Sequence, residues 1–330
     1  MNNSAKNKNW VLLANWKDLS MQNNSTAFYL GQTILGSDGY YCSDYMNVHV
    51  YINNMYWGLY LLAEQQEVKS GRINISEPED AETEIGYLVE YDSYYEFEDP
   101  NNGGDYTFEC NYGGKYPKKE NGSICEPYNI GYTIKSDINS DAQVTKISNY
   151  LYNAYLIAYY AIVENRFYKM NNTYSGLVGA TLDYQNAFDC VNRYIDVQSM
   201  VDYYIISEIL CDSDVDSSSW YMDCDLNPNS FKRLTFEAPW DYDTCMGIKD
   251  NQYAEGIYAA NSGNPWYCLF AMSDWFMTLV SEKWAEIKEY KVFENSLNYI
   301  NVYKTKYESA FKQNYDRWPK RITDGNFELF

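Results

Sequence analysis

Pro239-Trp240-Asp241-Tyr242-Asp243-Thr244-Cys245-Met246-Gly247 is the stretch on which the reading of this chain turns. Two carboxylates stand one residue apart, directly after Lys232-Arg233-Leu234-Thr235-Phe236-Glu237-Ala238, whose Leu, Thr and Phe predict a short strand. Gly247 lets the chain turn away after the acidic pair. Carboxylate oxygens are hard ligands of the kind Mg²⁺ and Mn²⁺ prefer, and Mg²⁺ is usually held by one or two carboxylates together with substrate phosphates. Taken alone, the stretch reads as a solvated acidic turn, because Asp is common in loops.

A second acidic segment changes the weighting. Asp212-Ser213-Asp214-Val215-Asp216-Ser217-Ser218-Ser219 follows a helical pattern over Val197–Leu210, with Asp196 placed as its N-cap. Between Asp214 and Asp241 there is room for a loop, a strand from Trp220, a turn at Asn227-Pro228-Asn229 and a second strand. Such a hairpin returns Asp241 to the neighbourhood of Asp214. Protein kinases use this layout, in which a catalytic-loop Asp precedes a hairpin and a metal-binding Asp follows it. Phosphoryl transfer asks mainly for positioning and charge neutralisation, so few residues must match.

The wider chain sets limits on function. Its 330 residues, 46% hydrophobic and 18% aromatic, suffice for one large core or two lobes. A net charge of −21 argues against nucleic-acid or anionic-membrane surfaces, and no apolar run reaches membrane-spanning length. The single His, His49, removes triad catalysis as a strong option, and the eight Cys lack zinc-finger spacing. Cys110 and Cys125 bracket a Gly/Asn/Lys loop and would make a disulfide staple in an oxidising compartment. Sequons at Asn24, Asn74, Asn121 and Asn171 suit secretion but arise by chance in an Asn-rich chain.

The pattern changes near residue 137. Short strand-like runs come first, at Val48–Ile52, Gly58–Leu62 and Gly86–Tyr91, with a hairpin turn at Asn53-Asn54-Met55. Helical spacing follows: Ile147, Leu151, Ala154, Tyr155, Ala158 and Ile162 form one apolar stripe on a helix from about Asp141 to Asn165. Further helices are predicted at Leu269–Tyr290 and Val292–Tyr315. The expected organisation is α+β, with a β-rich part over 1–136 and a helical part over 137–330 that carries the acidic loops.

Several blocks resemble one family, the CotH kinase-like proteins, atypical relatives of protein kinases. Lys8-Asn9-Trp10-Val11-Leu12-Leu13-Ala14-Asn15 with Asp18 and Ser20 is similar to that family's K-x-W-v-L-l-a-n-x-x-D-x-S. Val50-Tyr51-Ile52-Asn53-Asn54-Met55-Tyr56-Trp57-Gly58-Leu59-Tyr60-Leu61-Leu62-Ala63-Glu64 resembles its v-y-l-N-g-x-Y-x-G-x-Y-x-l-x-E, and Gly86–Asp92 resembles the G-y-L-l-e-x-D of secreted members. Asp214–Met222 and Pro239–Asp243 are similar to the D-x-x-x-x-N/S-x-Y-x-y and P-W-D-x-D-x-x-x-G signatures. Asn264–Tyr267 and Lys283-Trp284 fit downstream helices.

The resemblance implies a two-lobed kinase-like fold that binds ATP with Mg²⁺ or Mn²⁺ and phosphorylates Ser or Thr of protein substrates, surface or extracellular assembly proteins among them. By that reading Asp214 orients or deprotonates the acceptor hydroxyl, while Asp241, Asp243 and Ser219 hold the metal. Lys135 reaches the phosphates and Glu64 pairs with it or aids the metal. An extracellular or cell-surface location follows from the secreted members. The family's leading R-G-N-like and K-K-x-Y-like blocks have no counterpart, so the chain is expected to begin partway through the nucleotide lobe. Asn23 stands where Arg is usual, and Ser219 where kinases place a metal-binding Asn. Two other readings stand beside this one. One is a catalytically inactive surface or binding protein, such as an adhesin or accessory module of a plant-wall-degrading assembly; the other is a glycoside hydrolase with paired carboxylates. Metal-dependent ATP binding separates them.

Overall fold

Residues 6–77, 80–127, 129, 131–247 and 257–319 are described here from a computed structural model. In chain order they form β1 (Trp10–Leu13), α1 (Asn23–Ile34), β2 (Tyr45–Ile52), β3 (Met55–Glu64), β4 (Gly86–Tyr91), β5 (Tyr106–Glu109), β6 (Gly131–Ile134), α2 (Asp141–Val163), β7 (Tyr168–Met170), β8 (Leu177–Gly179) and α3 (Ala187–Asn192). Then come α4 (Val197–Leu210), β9 (Trp220–Asp225), β10 (Leu234–Thr235), α5 (Pro265–Ala271), α6 (Asp274–Glu289) and α7 (Val292–Arg317). The fold is mixed α+β.

Asn53 and Asn54, at φ of 50° and 63°, both take the left-handed conformation that a two-residue hairpin turn requires, and β2 and β3 pair across it. β1 adds to the other edge of β3, giving a three-stranded sheet. The second sheet has the order β10-β9-β4-β6-β5 and takes strands from both sides of residue 137. Glu90 of β4 therefore stands opposite Thr133 of β6 on one side and Tyr221 of β9 on the other. β7 and β8 form a separate two-stranded ribbon.

α2 lies under the larger sheet. Its expected stripe is buried at Ile147, Leu151, Ala154, Tyr155 and Ala158, and Gln143 accepts from the Ser140 N–H to close its first turn. α4 starts at the expected cap, where Asp196 accepts from the Ser199 N–H. Sequence periodicity merged α5 and α6 into one helix; Ser273 instead opens a new helix after Ala271. α1 was not foreseen, because Asn23, Asn24, Ser25 and Thr26 are buried and leave no polar face to give a helical stripe. All eight cysteines are free, so the expected Cys110–Cys125 staple is absent, and Asn24 is buried rather than open to glycosylation. Among the described residues no helix is long and apolar enough to cross a membrane.

Asp223 on β9 and Glu237 after β10 form a buried carboxyl pair. Burial raises both, and the charge of Glu237 adds to the rise of Asp223. Asp202 of α4 is likewise raised by burial to about 8, against the pull of Lys283. Groups held above their unfolded pKa give stability that is fully present in acid and lost as pH rises through the raised values. Thermal unfolding is therefore expected at a lower temperature near pH 9 than near pH 5, each group losing on the order of 1 kcal/mol of stability for every unit by which its raised value exceeds pH 5. Asp223→Asn should flatten that slope; a wild-type profile that is flat or rises with pH contradicts the assignment.

Candidate active site

The acidic loop between α4 and β9 meets the acidic turn after β10. Thr244 Oγ donates to Asp214 Oδ2 at 2.9 Å, and the Ser213 hydroxyl lies 2.6 Å from Thr244 Oγ and 3.3 Å from Asp214 Oδ1. Two hydroxyls thus orient the Asp214 carboxylate and tie it to the segment that carries Asp241 and Asp243. The hairpin β9–β10 returns the chain as the sequence interval implied.

Electrostatics report the same convergence. Asp241 is raised first by burial and then by Asp214, with Lys17 pulling the other way. Asp243 is raised to about 7 by burial, then by Asp241, again opposed by Lys17, with Asp214 and Asp18 adding to the rise. Asp212, which accepts from the Asp214 N–H at 3.1 Å, is raised to about 8 by burial and by Asp214, Asp241 and Asp216. Crowded, half-desolvated carboxylates of this kind repel one another, and a cation relieves them.

Backbone strain concentrates here. Cys211, Ser219, Ala238, Asp241 and Met246 all have positive φ, between 48° and 61°. For Ala and Met the left-handed conformation costs about 1 kcal/mol or more, so the surrounding contacts must enforce it. The N–H groups of Ala238 and Met246 donate to Tyr41 O at 3.0 Å and Leu210 O at 2.7 Å, and the first block of the chain holds the turn between them. Asn24 Oδ1 accepts from the Tyr242 N–H at 2.7 Å, and Asn23 Nδ2 donates to Cys245 O at 3.0 Å and more weakly to Asp243 O at 3.4 Å. Asp18 in turn accepts from the Asn23 N–H at 2.7 Å. Asn23 therefore acts as a backbone clamp at the position where Arg was the family expectation.

The acidic loop is braced from behind as well. Asn264, wholly buried at the start of α5, donates to Val215 O at 2.8 Å, and the Ser93 N–H donates to Ser217 O at 2.7 Å. Gly263, at φ 122°, has no room for a side chain, since a Cβ there would lie 2.8 Å from Asp216 Oδ2.

Lys135, one residue past β6, reaches Glu90 Oε2 at 3.2 Å and Asp105 Oδ2 at 2.9 Å. Glu90 also accepts from the Ser219 N–H at 2.9 Å, which links the lysine to the acidic loop. Glu64 lies elsewhere: it is fully buried beside Arg72 at 3.8 Å, and accepts from the Asp44 N–H at 3.1 Å and the Tyr41 hydroxyl at 3.3 Å. The lysine's acidic partner is therefore Glu90, in a block where the sequence showed only a strand. Thr244, Ser213, Asp212, Asn24 and Lys17 were also missed as candidate site residues, and Asn23 was noted only for standing where Arg is usual. The family-like block Lys8–Asn15 with Asp18 and Ser20 was the available hint.

Among the described residues no three His, Cys, Asp or Glu converge closely enough to enclose an ion by themselves. Asp241 and Asp243, each raised in part by Asp214, offer hard oxygens that do not enclose an ion by themselves. That donor set fits an ion completed by phosphate oxygens and water, the usual arrangement for Mg²⁺. Trp240 packs on Phe28 with ring centroids 5.6 Å apart, and Trp57 packs edge-on to Trp318 at 5.4 Å, so both serve packing. In comparisons with known proteins, the model of the family described as CotH kinase protein matches residues 1–328. No curated protein matches the chain.

Proposed function

The chain belongs to the CotH kinase family over essentially its whole length, and from that premise we propose that it transfers the ATP γ-phosphate to Ser or Thr of a protein substrate, outside the cell or at its surface. The observation that carries this reading is the clamp by which Thr244 and Ser213 hold Asp214 against the turn bearing Asp241 and Asp243. Asp214 is the group that orients the acceptor hydroxyl and takes its proton. Asp241 and Asp243 are the residues that would hold a divalent ion, which when bound neutralises phosphate charge. Glu90 keeps Lys135 extended toward the loop, as the lysine–glutamate pair does in kinases generally. Ser219 contributes through its N–H bond to Glu90, and its hydroxyl is the nearest counterpart of the metal-binding Asn of kinases.

The test is calorimetric titration of ATP with Mg²⁺ or Mn²⁺, repeated with EDTA and with Asp241→Asn. Both controls are expected to weaken binding by at least about tenfold, or about 1.4 kcal/mol. ATP binding that is indifferent to both would overturn the site. A second reading, a CotH-like binding module without transfer, is favoured by one observation: Asp105 and Glu90 already neutralise Lys135. Metal-dependent ATP binding with no transfer to any protein acceptor would select it.

A further inference from the structure

Away from the acidic site, two cysteines far apart in sequence share one turn. Cys125 ends a small hairpin closed by the Lys118–Ile124 bridge and by its own N–H bond to Pro117 O at 2.8 Å. Cys268 lies in α5. As thiols, Cys125 donates to Gly263 O and Cys268 to Ala260 O, each at 3.1 Å, so both sulfurs face the turn that precedes α5. The Cys125 proton has the Cys268 sulfur as its alternative acceptor once Cys268 is a thiolate. A cleft of about 450 Å³, lined by Lys119, Ala260, Met272 and Met277, reaches Cys268.

We infer that Cys125 and Cys268 are a peroxide-oxidisable dithiol, with Cys268 the attacking sulfur and Cys125 the resolving one. The chemistry has few requirements: a thiolate-leaning sulfur, a path for a small oxidant, and a second thiol within reach. The hydrogen bond from Cys125 stabilises the Cys268 thiolate, burial opposes it, and Lys119 favours it, with the balance lowered. The same contact and burial raise Cys125, which keeps its proton. Cys268 sulfur attacks one oxygen of hydrogen peroxide; the O–O bond breaks, hydroxide leaves and is protonated to water, and Cys268 becomes a sulfenic acid. Cys125 sulfur then attacks Cys268 sulfur, the S–O bond breaks, and the departing hydroxide takes the Cys125 proton as a second water. Two thiols are oxidised to one disulfide and one peroxide is reduced to two waters. The bridge would staple the 118–125 hairpin to α5, whose capping Asn264 holds the Val215 carbonyl. It stands independently of kinase activity.

Exposure alone would send the oxidant elsewhere, because Cys42 is the one cysteine that is not buried. The experiment treats the full chain with limiting hydrogen peroxide, blocks remaining thiols with N-ethylmaleimide, and maps peptides without reduction. A Cys125–Cys268 linked peptide is expected as the main product, formed before Cys42 is modified. In Cys125→Ser, dimedone should trap a sulfenic acid at Cys268; in Cys268→Ser, Cys125 should remain unoxidised. Circular dichroism confirms that both variants fold, and the wild-type time course needs neither. Linkage of either sulfur to a different cysteine, prior oxidation of Cys42, or first oxidation at Cys125 would each overturn the inference.

Discussion

Asp214→Asn is expected to reduce phosphoryl transfer by about 10²- to 10⁴-fold, the usual contribution of a positioned general base, while ATP binding stays close to wild type. The substitution keeps the shape of the side chain. Its Oδ still accepts from Thr244 Oγ and its neighbours at Ser213 remain, so the loop should hold its position. What disappears is the negative oxygen that, in the proposed reaction, receives the acceptor proton. Losing one charge also relieves Asp241 and Asp243, both of which Asp214 raises, so affinity for the metal–nucleotide complex depends on two opposing changes. Less electrostatic repulsion favours ionised ligands, but less negative charge weakens the attraction for the cation. Single-turnover transfer to a protein acceptor, measured beside calorimetric ATP binding, separates chemistry from binding. Full transfer by Asp214→Asn would remove Asp214 from the proton-handling role. Loss of ATP binding with loss of transfer would make it a ligand-holding residue instead. Thr244→Ala, which leaves the carboxylate but removes its tether, should lower the transfer rate less than Asp214→Asn does.

Much of this site was legible because its chemistry is local. The acids cluster in two short segments, and the strand and turn residues between them predict the hairpin that joins their ends. Asp196 announces α4 by a side chain that caps the helix it precedes, and the α2 stripe shows because that helix has one solvated face. The parts that stayed hidden are those decided by distant pairing. Glu90 reads as one more residue of an apolar strand until β4 is seen between β6 and β9, where its carboxylate meets Lys135 and the Ser219 N–H together. Asn23 and Asn24 look like loop residues, since nothing local says that their amides will hold a backbone more than two hundred positions away. Glu64 misled for the converse reason. A Glu at the end of a family block suggests a lysine partner, but Arg72, only a few residues on, reaches it first. The sulfur pairing failed in the same way: Cys110 and Cys125 are near in sequence, while Cys125 and Cys268 face one turn in space.

Trp266→Ala should cost about 3–5 kcal/mol of stability, the range for truncating a large buried aromatic. Trp266 is wholly buried and packs against Trp220, Phe236, Tyr112 and Tyr155, with ring centroids between 5.1 and 6.4 Å away. Its Nε1–H donates to Tyr132 Oη at 2.9 Å and to Tyr112 Oη at 3.1 Å, joining α5 to β6 and to the loop before it. Truncation therefore opens a cavity and removes a donor from two buried hydroxyls in one step. Those hydroxyls also contact each other, which limits the polar share of the loss. Trp266→Phe isolates that share: it retains most of the ring volume, loses the donor, and should cost about 0.5–1.5 kcal/mol for the hydrogen bond plus a small packing defect. Urea unfolding measures both, and the midpoint should fall with the slope unchanged if the transition remains two-state. The effect should also reach the acidic site. Asn264 lies two residues ahead of Trp266, caps the same helix and holds the Val215 carbonyl, so a loosened α5 should weaken ATP binding even at temperatures where the protein is still folded. A Trp266→Ala protein within about 1 kcal/mol of wild type, against the expected cavity cost, would mean that the aromatic cluster repacks around the gap. Normal ATP binding in a clearly destabilised variant would show that the acidic loop is held by Thr244, Asn23 and Asn24 without help from α5.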